Sequence, residues 1–377
     1  MSRYFATRLF DGDAIREDVT FSVEQGRIVA LQEGAEAGDA EQLSGLVVPG
    51  FVDTQVNGGG GALFNTDPTV ATLRTMMAAH SRYGTTAMLP TLISDSVNVM
   101  HEAAEAIAVA IREKVPGIVG VHFEGPHLSG PKKGTHCETR LRPIGAEEMA
   151  IYTRKDLGTV SVTLAPELVA VEDIRKLADD GVKVCVGHSN ADAVTTQAAL
   201  QAGACGFTHL YNAMSQLNSR APGVVGAALA DRHSWCGVIA DGHHVDPLAM
   251  QVAICAKPQG KVMLVTDSMS TIGTDQQSFP FFGRTVYREG DRLTSTTGEL
   301  AGSALEMITA VRNIHEWCDV SLEEALRMAG RYPAEFAGID AGVLAPGKAA
   351  DFVLLDDALE VQGTWIAGSQ VFAAAGN

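Results

Sequence analysis

The side chains in this sequence that could handle water, protons or a metal recur in one place, at the end of a short apolar run. In chain order these rim candidates are Asp53 with Gln55 and Asn57, then Thr91, Glu124, Glu167, His188, His209, Asp241 and Asp267. Glu124, His188 and His209 are the metal-ligand types among them. Two imidazoles and one carboxylate bind a divalent ion and leave a coordination position open for water or a substrate oxygen, which is what separates a catalytic from a structural site. Asp267, in VTDS, is placed to take a proton from an activated water and return it to a leaving amine. Binding to a metal brings a water's pKa to about 7, so an ordinary carboxylate suffices as the base. His136, in the loop GPKKGTHCE, is a candidate donor to a developing oxyanion. Taken singly, each of these residues reads as a helix cap, an ion-pair member or a satisfied polar group. Their joint occurrence after runs three, five, six and eight is what points to chemistry.

One ion is expected rather than two. Run four ends in LAPE with no lysine to be carbamylated as a bridge, and Gln55 and Asn57 stand where a His-x-His would be needed; whether a second metal binds near them is left open. Zinc is the first expectation, although the same donors accept iron, manganese or cobalt.

The chain has 377 residues, 46% of them apolar, and 45 acidic against 28 basic side chains give a formal charge of −17. That balance disfavours nucleic acid and anionic membranes as partners. An anionic substrate would need a local cationic pocket, for which Arg220, His243, His244 and the backbone around Asn212 and Ala213 are the candidates. No P-loop, strand-to-helix GxGxxG or GxSxG elbow is present, and NGGGG at 57–61 alone is weak evidence for phosphate binding. The six cysteines form no CxxC pair, the N-terminal residues lack a secretory apolar core, and no run is long enough to span a membrane, so a reduced, cytoplasmic protein is expected.

The elements that must position these groups follow from the same runs. Eight of them, LVVPGFVD, TTAMLPT, IVGVHFE, VSVTLAPE, VKVCVGH, CGFTHLYN, WCGVIADG and KVMLVTD, alternate with helical patterns such as PTVATLRTMMAAHSRYG, which Gly84 stops. This alternation predicts an α/β fold, a (β/α)₈ TIM-type barrel over residues 48–343 with the active site at the C-terminal rim of its strands; an open doubly wound sheet is the alternative. Residues 1–47 and 344–377 read as short strands too small to bury a core separately, so they are expected to pair into one small β-sandwich domain formed from both termini.

In order, the motifs FEGPHL, KKGTHCE, VTLAPE, GHSNA, THLYNAM, ADGHHVD, VTDS and LAGSALEM closely resemble the N-acetylglucosamine-6-phosphate deacetylases of the amidohydrolase superfamily. The resemblance runs from VPGFVDTQVNGGGG to GVLAPGKAADFVLLD, most of the chain. It implies hydrolysis of N-acetyl-D-glucosamine 6-phosphate to glucosamine 6-phosphate and acetate, in amino-sugar catabolism or cell-wall recycling. Carried over by position, Glu124, His188 and His209 match metal ligands, Asp267 the acid/base, and His136 the group that polarises the acetyl carbonyl, with Thr135 beside it. Asn212 and Ala213 match a clamp on the sugar phosphate. Arg220 and His244 match phosphate contacts, some supplied across a homodimer interface. Asp241, Gly242 and His243 lie in the substrate segment, and Leu300, Ala301 and Gly302 match a loop that closes on the ligand. Gln55 and Asn57 resemble the single-metal branch, whereas Ser268, Met269 and His127 depart from some members. Two alternatives stand beside this reading: another amidohydrolase activity, on the galactosamine epimer or an unphosphorylated N-acetyl amino sugar, and a non-catalytic scaffold of the same fold.

Overall fold

Seven of the apolar runs, and the FVD end of the first, whose LVVP half joins a strand of the terminal sheet, become neighbouring parallel strands: Phe51–Val56, Thr85–Ile93, Gly120–Glu124, Thr159–Leu164, Lys183–Val186, Gly206–Phe207, Trp235–Val238 and Val262–Leu264. They are called barrel strands one to eight below. The structure is a computed structural model that describes residues 1–34 and 36–375. Strands one and two are buried along their whole length, as strands of a parallel sheet covered on both faces are. The ring closes where strand eight leads into strand one: Asp267 N–H donates to Gln55 O at 2.9 Å and Asn57 N–H to Ser268 O at 2.9 Å.

Helices cover the outside, started by the caps that the sequence carries. Thr69 accepts from Thr72 N–H to begin Val70–Ser81, Ser96 accepts from Val99 N–H to begin Val97–Arg112, and Asp192 accepts from Thr195 N–H to begin Ala193–Gln201. Gly84 returns the chain to strand two with φ +86°, and a Cβ there would lie 2.6 Å from the Phe51 ring. The position therefore needs glycine twice over.

The two termini share one seven-stranded sheet. Its order is Ser369–Ala373, Val361–Ile366, Phe352–Leu355, Glu41–Pro49, Ser2–Phe10, Ile15–Glu24, Arg27–Gln32. Phe21 and Phe352 sit three strands apart in that order, a separation of about 14 Å in a flat sheet, yet their ring centroids are 5.3 Å apart. The sheet therefore folds over into a sandwich, with Tyr4, Phe21, Phe352 and Trp365 packed between its halves in a core separate from that of the barrel.

One element departs from the sequence reading, which assigned no strands between the eighth run and residue 344. Ser278–Phe281, Arg284–Glu289 and Arg292–Ser295 form an antiparallel three-stranded sheet. Its apolar face packs on Leu63, Ile93 and Met269 at the C-terminal rim of the barrel. Strand two also runs further than expected, past Pro90 to Ile93. Its rim residue is consequently Ser94, while Thr91 is interior, with Oγ1 accepting from Val56 N–H at 2.9 Å.

Candidate metal centre and active site

Strands three, five and six each deliver one candidate ligand to a common point. Glu124 Oε1 lies 3.0 Å from His188 Nε2 and 3.0 Å from His209 Nε2, and the two imidazole nitrogens are 3.0 Å apart. All three side chains are buried. Among the described residues they are the one group of three or more such side chains able to share an ion. The donor chemistry fits a cation. His188 Nδ1–H donates to Lys132 O at 2.8 Å, so its Nε2 presents a lone pair toward the carboxylate oxygen. Lone pairs that face one another at this spacing need a positive charge between them, and the spacing suits metal bonds of about 2.0–2.2 Å. Burial alone would raise the pKa of Glu124, but the two imidazoles beside it hold it well below the usual carboxylate range. For His209, burial works to lower the pKa, and the Glu124 carboxylate overcomes it and raises it.

The backbone aims these groups. His188, His209 and Asp267 have φ of 46°, 33° and 52°, in the left-handed region that residues with a Cβ rarely adopt. Such conformations cost about 1–3 kcal/mol each and persist only where the surroundings over-determine them. Here they turn the residue after a strand inward across the mouth of the barrel.

Around the ligands is a cavity of about 160 Å³, lined by Asn57, Gly134, Thr135, His136, Asn212, Ala213, His244, Asp267, Leu300 and Gly302 together with the ligands. Asp267 is half-buried at the cavity wall, and desolvation followed by the neighbouring Glu124 charge pushes its pKa up to about 6. Asn57 Nδ2–H donates to Asp267 Oδ1 at 2.6 Å, which leaves Oδ2 as the working oxygen. Gln55 Nε2–H donates to Glu124 Oε2 at 3.3 Å. The amides of Gln55 on strand one and Asn57 just past it thus steady the two carboxylates of the site.

His136 is buried against His188, with ring centroids 4.4 Å apart, and burial holds its pKa well below the usual imidazole range. Ser94 N–H at 3.4 Å and Ser94 Oγ at 2.8 Å both face its Nδ1. A backbone N–H can only donate, so Nδ1 is the acceptor and Nε2 carries the proton. Ser94 is an orienting residue that sequence reasoning missed, because the Pro in TTAMLPT ended the expected strand too early.

The remaining sequence candidates divide. His244 lines the cavity, and its Nδ1–H donates to Asp241 Oδ2 at 2.6 Å. Asp241 itself lies outside the lining. Its other oxygen accepts from the N–H groups of His243 and His244, so it holds the loop rather than facing the cavity. Burial would raise the Asp241 pKa, but the His244 bond prevails and lowers it. Gly242 and His243 are exposed, and His243 Nε2 contacts Asp291 Oδ1 at 2.9 Å at the edge of the three-stranded sheet. Ala301 is buried behind Leu300 and Gly302. Arg220 is exposed on the segment 216–222, away from the cavity lining. Glu167 accepts from Ser189 Oγ–H and Asn190 N–H and so ties the strand-four loop to the strand-five loop. Ile93, Met269 and Phe281 line the cavity without having been singled out as site residues.

Behind the site, Asp53 is fully buried and accepts from Gln55 N–H at 3.2 Å, Thr266 N–H at 3.3 Å and Thr266 Oγ–H at 2.5 Å. Desolvation, the largest influence, pushes its pKa up to about 7. A raised acid favours the folded state below its unfolded pKa of about 3.9, and that contribution is lost as pH climbs through the folded value. Asp53→Asn, which keeps the acceptor and mimics the protonated acid, is therefore expected to flatten the stability loss between about pH 4 and pH 7. Urea midpoints of both proteins across that range provide the check. Parallel curves would mean that Asp53 does not titrate there.

A model of the Amidohydrolase family matches residues 46–371. A protein of Shewanella sp. (strain ANA-3) named N-acetylgalactosamine-6-phosphate deacetylase is 52% identical over 332 residues, which are 88% of this chain and 84% of that protein. One of Vibrio furnissii named N-acetylglucosamine-6-phosphate deacetylase is 35% identical over 382 residues, 98% of this chain and 95% of its own. Among solved structures, the N-acetylglucosamine-6-phosphate deacetylase from Pasteurella multocida superposes with a TM-score of 0.94 at 33% identity, covering 99% of this chain and 100% of the other.

Proposed function

We propose, from the premise that this chain belongs to the amidohydrolase family, that it hydrolyses N-acetyl-D-glucosamine 6-phosphate to D-glucosamine 6-phosphate and acetate. The observation that carries the reading is the meeting of Glu124, His188 and His209 beside Asp267 and an Nε2–H of His136 in one cavity. A divalent ion held by Glu124, His188 and His209, zinc first and iron, manganese or cobalt as the other candidates, would polarise the acetyl carbonyl and acidify a water.

The chain's own groups then move the protons. Asp267 Oδ2 takes a proton from the attacking water, and His136 Nε2–H donates to the carbonyl oxygen as negative charge develops on it. Asp267 next passes that proton to the C2 nitrogen as the C–N bond breaks, so the amine leaves neutral and acetate carries the water oxygen. Thr135, Asn212, Ala213 and His244 line the remainder of the cavity and orient the sugar phosphate.

Arg220 completes the phosphate grip from a second copy in a homodimer. This part of the reading is supported by the exposed Leu217, Leu248 and Val252 on the loop and helix next to Arg220 and His244. Gly242, His243 and Ala301 belong to the substrate segments as supporting backbone. A reducing, cytoplasmic setting is supported by six free cysteines, and no helix among the described residues is long and apolar enough to cross a membrane. The division into residues 1–47 plus 344–377 and residues 48–343 belongs to the same proposal and rests on the separate sandwich core.

A second reading, the galacto epimer of the same substrate, is favoured by the 52% identity to the Shewanella protein. Acetate release from the gluco and galacto 6-phosphates and from free N-acetylglucosamine, with and without chelator, tests both. The expected result is chelator-sensitive turnover of a 6-phosphate with kcat/KM at least 100-fold above the free sugar, since a charge-assisted phosphate grip contributes several kcal/mol. Equal turnover of free and phosphorylated sugar would overturn the phosphate assignment. No acetate from any of them would overturn the function.

A further inference from the structure

The cavity has one wall that the reaction described above does not use. Ile93, Met269, Phe281 and Leu300 line it with apolar surface, while Thr135, Asn212 and His244 form its polar part. The apolar wall is built: Ile93, Met269 and Phe281 are 5%, 2% and 7% exposed and share a small core with Leu63, Phe279, Val286, Leu293, Ala301 and Ala304. That core is set apart from the main barrel core and exists because the three-stranded sheet after strand eight folds back onto the rim.

Position in the barrel gives the wall a purpose. Ile93 ends strand two and pairs directly with Glu124 on strand three, and Met269 lies two residues beyond Asp267. Asn212 and Ala213 follow strand six, which in a ring of eight lies across from strand two. The reacting carbon must sit among Glu124, His188, His209 and Asp267. Besides its oxygen, that carbon bears the amide nitrogen, which carries the sugar, and the acyl chain; trigonal geometry sends them in different directions. With the sugar phosphate toward strands six and seven, the acyl chain points at Ile93, Met269 and Phe281.

We propose that Phe281 and Met269, with Ile93 behind them, form an acyl-chain stop that restricts this enzyme to short N-acyl groups. The inference rests on the deacetylase reading, whose orientation of the sugar it uses. A methyl group meets apolar surface there, whereas two further methylenes would have to displace side chains that are already packed against a core. A mismatch of this kind is worth about 10–200-fold in discrimination.

The test measures kcat/KM for the N-acetyl, N-propionyl and N-butyryl forms of the sugar 6-phosphate, in wild type and in Phe281→Ala, Met269→Ala and Val286→Ala. Val286 belongs to the same small core but is not among the cavity-lining residues, so its truncation loosens the insert without enlarging the pocket. Wild type is expected to lose at least tenfold from acetyl to butyryl. Phe281→Ala and Met269→Ala are expected to raise the butyryl-to-acetyl ratio at least tenfold, while Val286→Ala leaves it within about twofold. A wild type indifferent to chain length, an unmoved ratio in both pocket variants, or an equal rise in Val286→Ala would each overturn the acyl stop while leaving the deacetylase reading intact. A wild type that releases no acetate from the N-acetyl compound would overturn the reading on which the stop depends.

Discussion

Asp267→Asn is expected to lower kcat by about 10³-fold or more while the protein retains its full complement of bound metal. The side chain is isosteric, and Asp267 is not one of the three groups that converge at 3.0 Å, so the ion's donors stay in place. What is lost is a carboxylate oxygen that can hold a proton between water and the leaving nitrogen. An amide cannot do this, and amine expulsion without a proton is the harder half of the reaction. The neighbouring amide does not compensate, because Asn57 Nδ2–H already faces Oδ1. Acetate release and elemental analysis on the same preparation measure both halves of the expectation. Turnover within tenfold of wild type would remove Asp267 from the mechanism, and loss of metal would instead make it a structural neighbour of the ligands.

Glu124→Ala is expected to abolish both metal retention and turnover. Glu124 Oε1 is the only anionic donor of the three, and it contacts both imidazoles at 3.0 Å. Two neutral imidazoles alone are poor company for a divalent ion in a buried place, where uncompensated charge is costly. Wild type at a cation concentration 100-fold above Kd gains about 2.7 kcal/mol of stability, because the ion binds the folded state alone. The variant should gain none. Thermal unfolding with and without added zinc reads this independently of catalysis, and a wild-type zinc response in Glu124→Ala would remove the ion from this place.

Much of the site is legible from residue types alone. The runs ending in Glu124, His188, His209 and Asp267 are marked by a polar residue after buried strand residues, and the C-terminal end of a barrel strand is where such folds place their active sites. His136 stands in a different class. Its place on a loop, 12 residues beyond the end of strand three, carries no periodicity, and only packing against His188 and the bond to Ser94 brings it to the site. Asp241 shows the opposite failure. It ends a strand-seven segment as expected, but neighbouring N–H groups and His244 saturate its oxygens, so a rim position did not make it face the cavity.

The insert at 278–295 was illegible for a further reason. Its strands are four, six and four residues long, and their apolar positions are shared with a core contributed by Leu63, Ile93 and Met269 from distant parts of the chain. Short strands with one covered face are weak signals when the covering surface is unknown.

The sequence by itself determined which chemistry was available and how far apart along the chain its carriers lie, because strand periodicity and side-chain type are local properties. Tertiary structure decided the rest: that His188, His209 and Asp267 turn inward through left-handed backbone, that the amides of Gln55 and Asn57 brace both carboxylates, and that an apolar insert walls one end of the cavity. Those features depend on contacts between segments tens to hundreds of residues apart, and the energy of such contacts belongs to pairs that no local window contains.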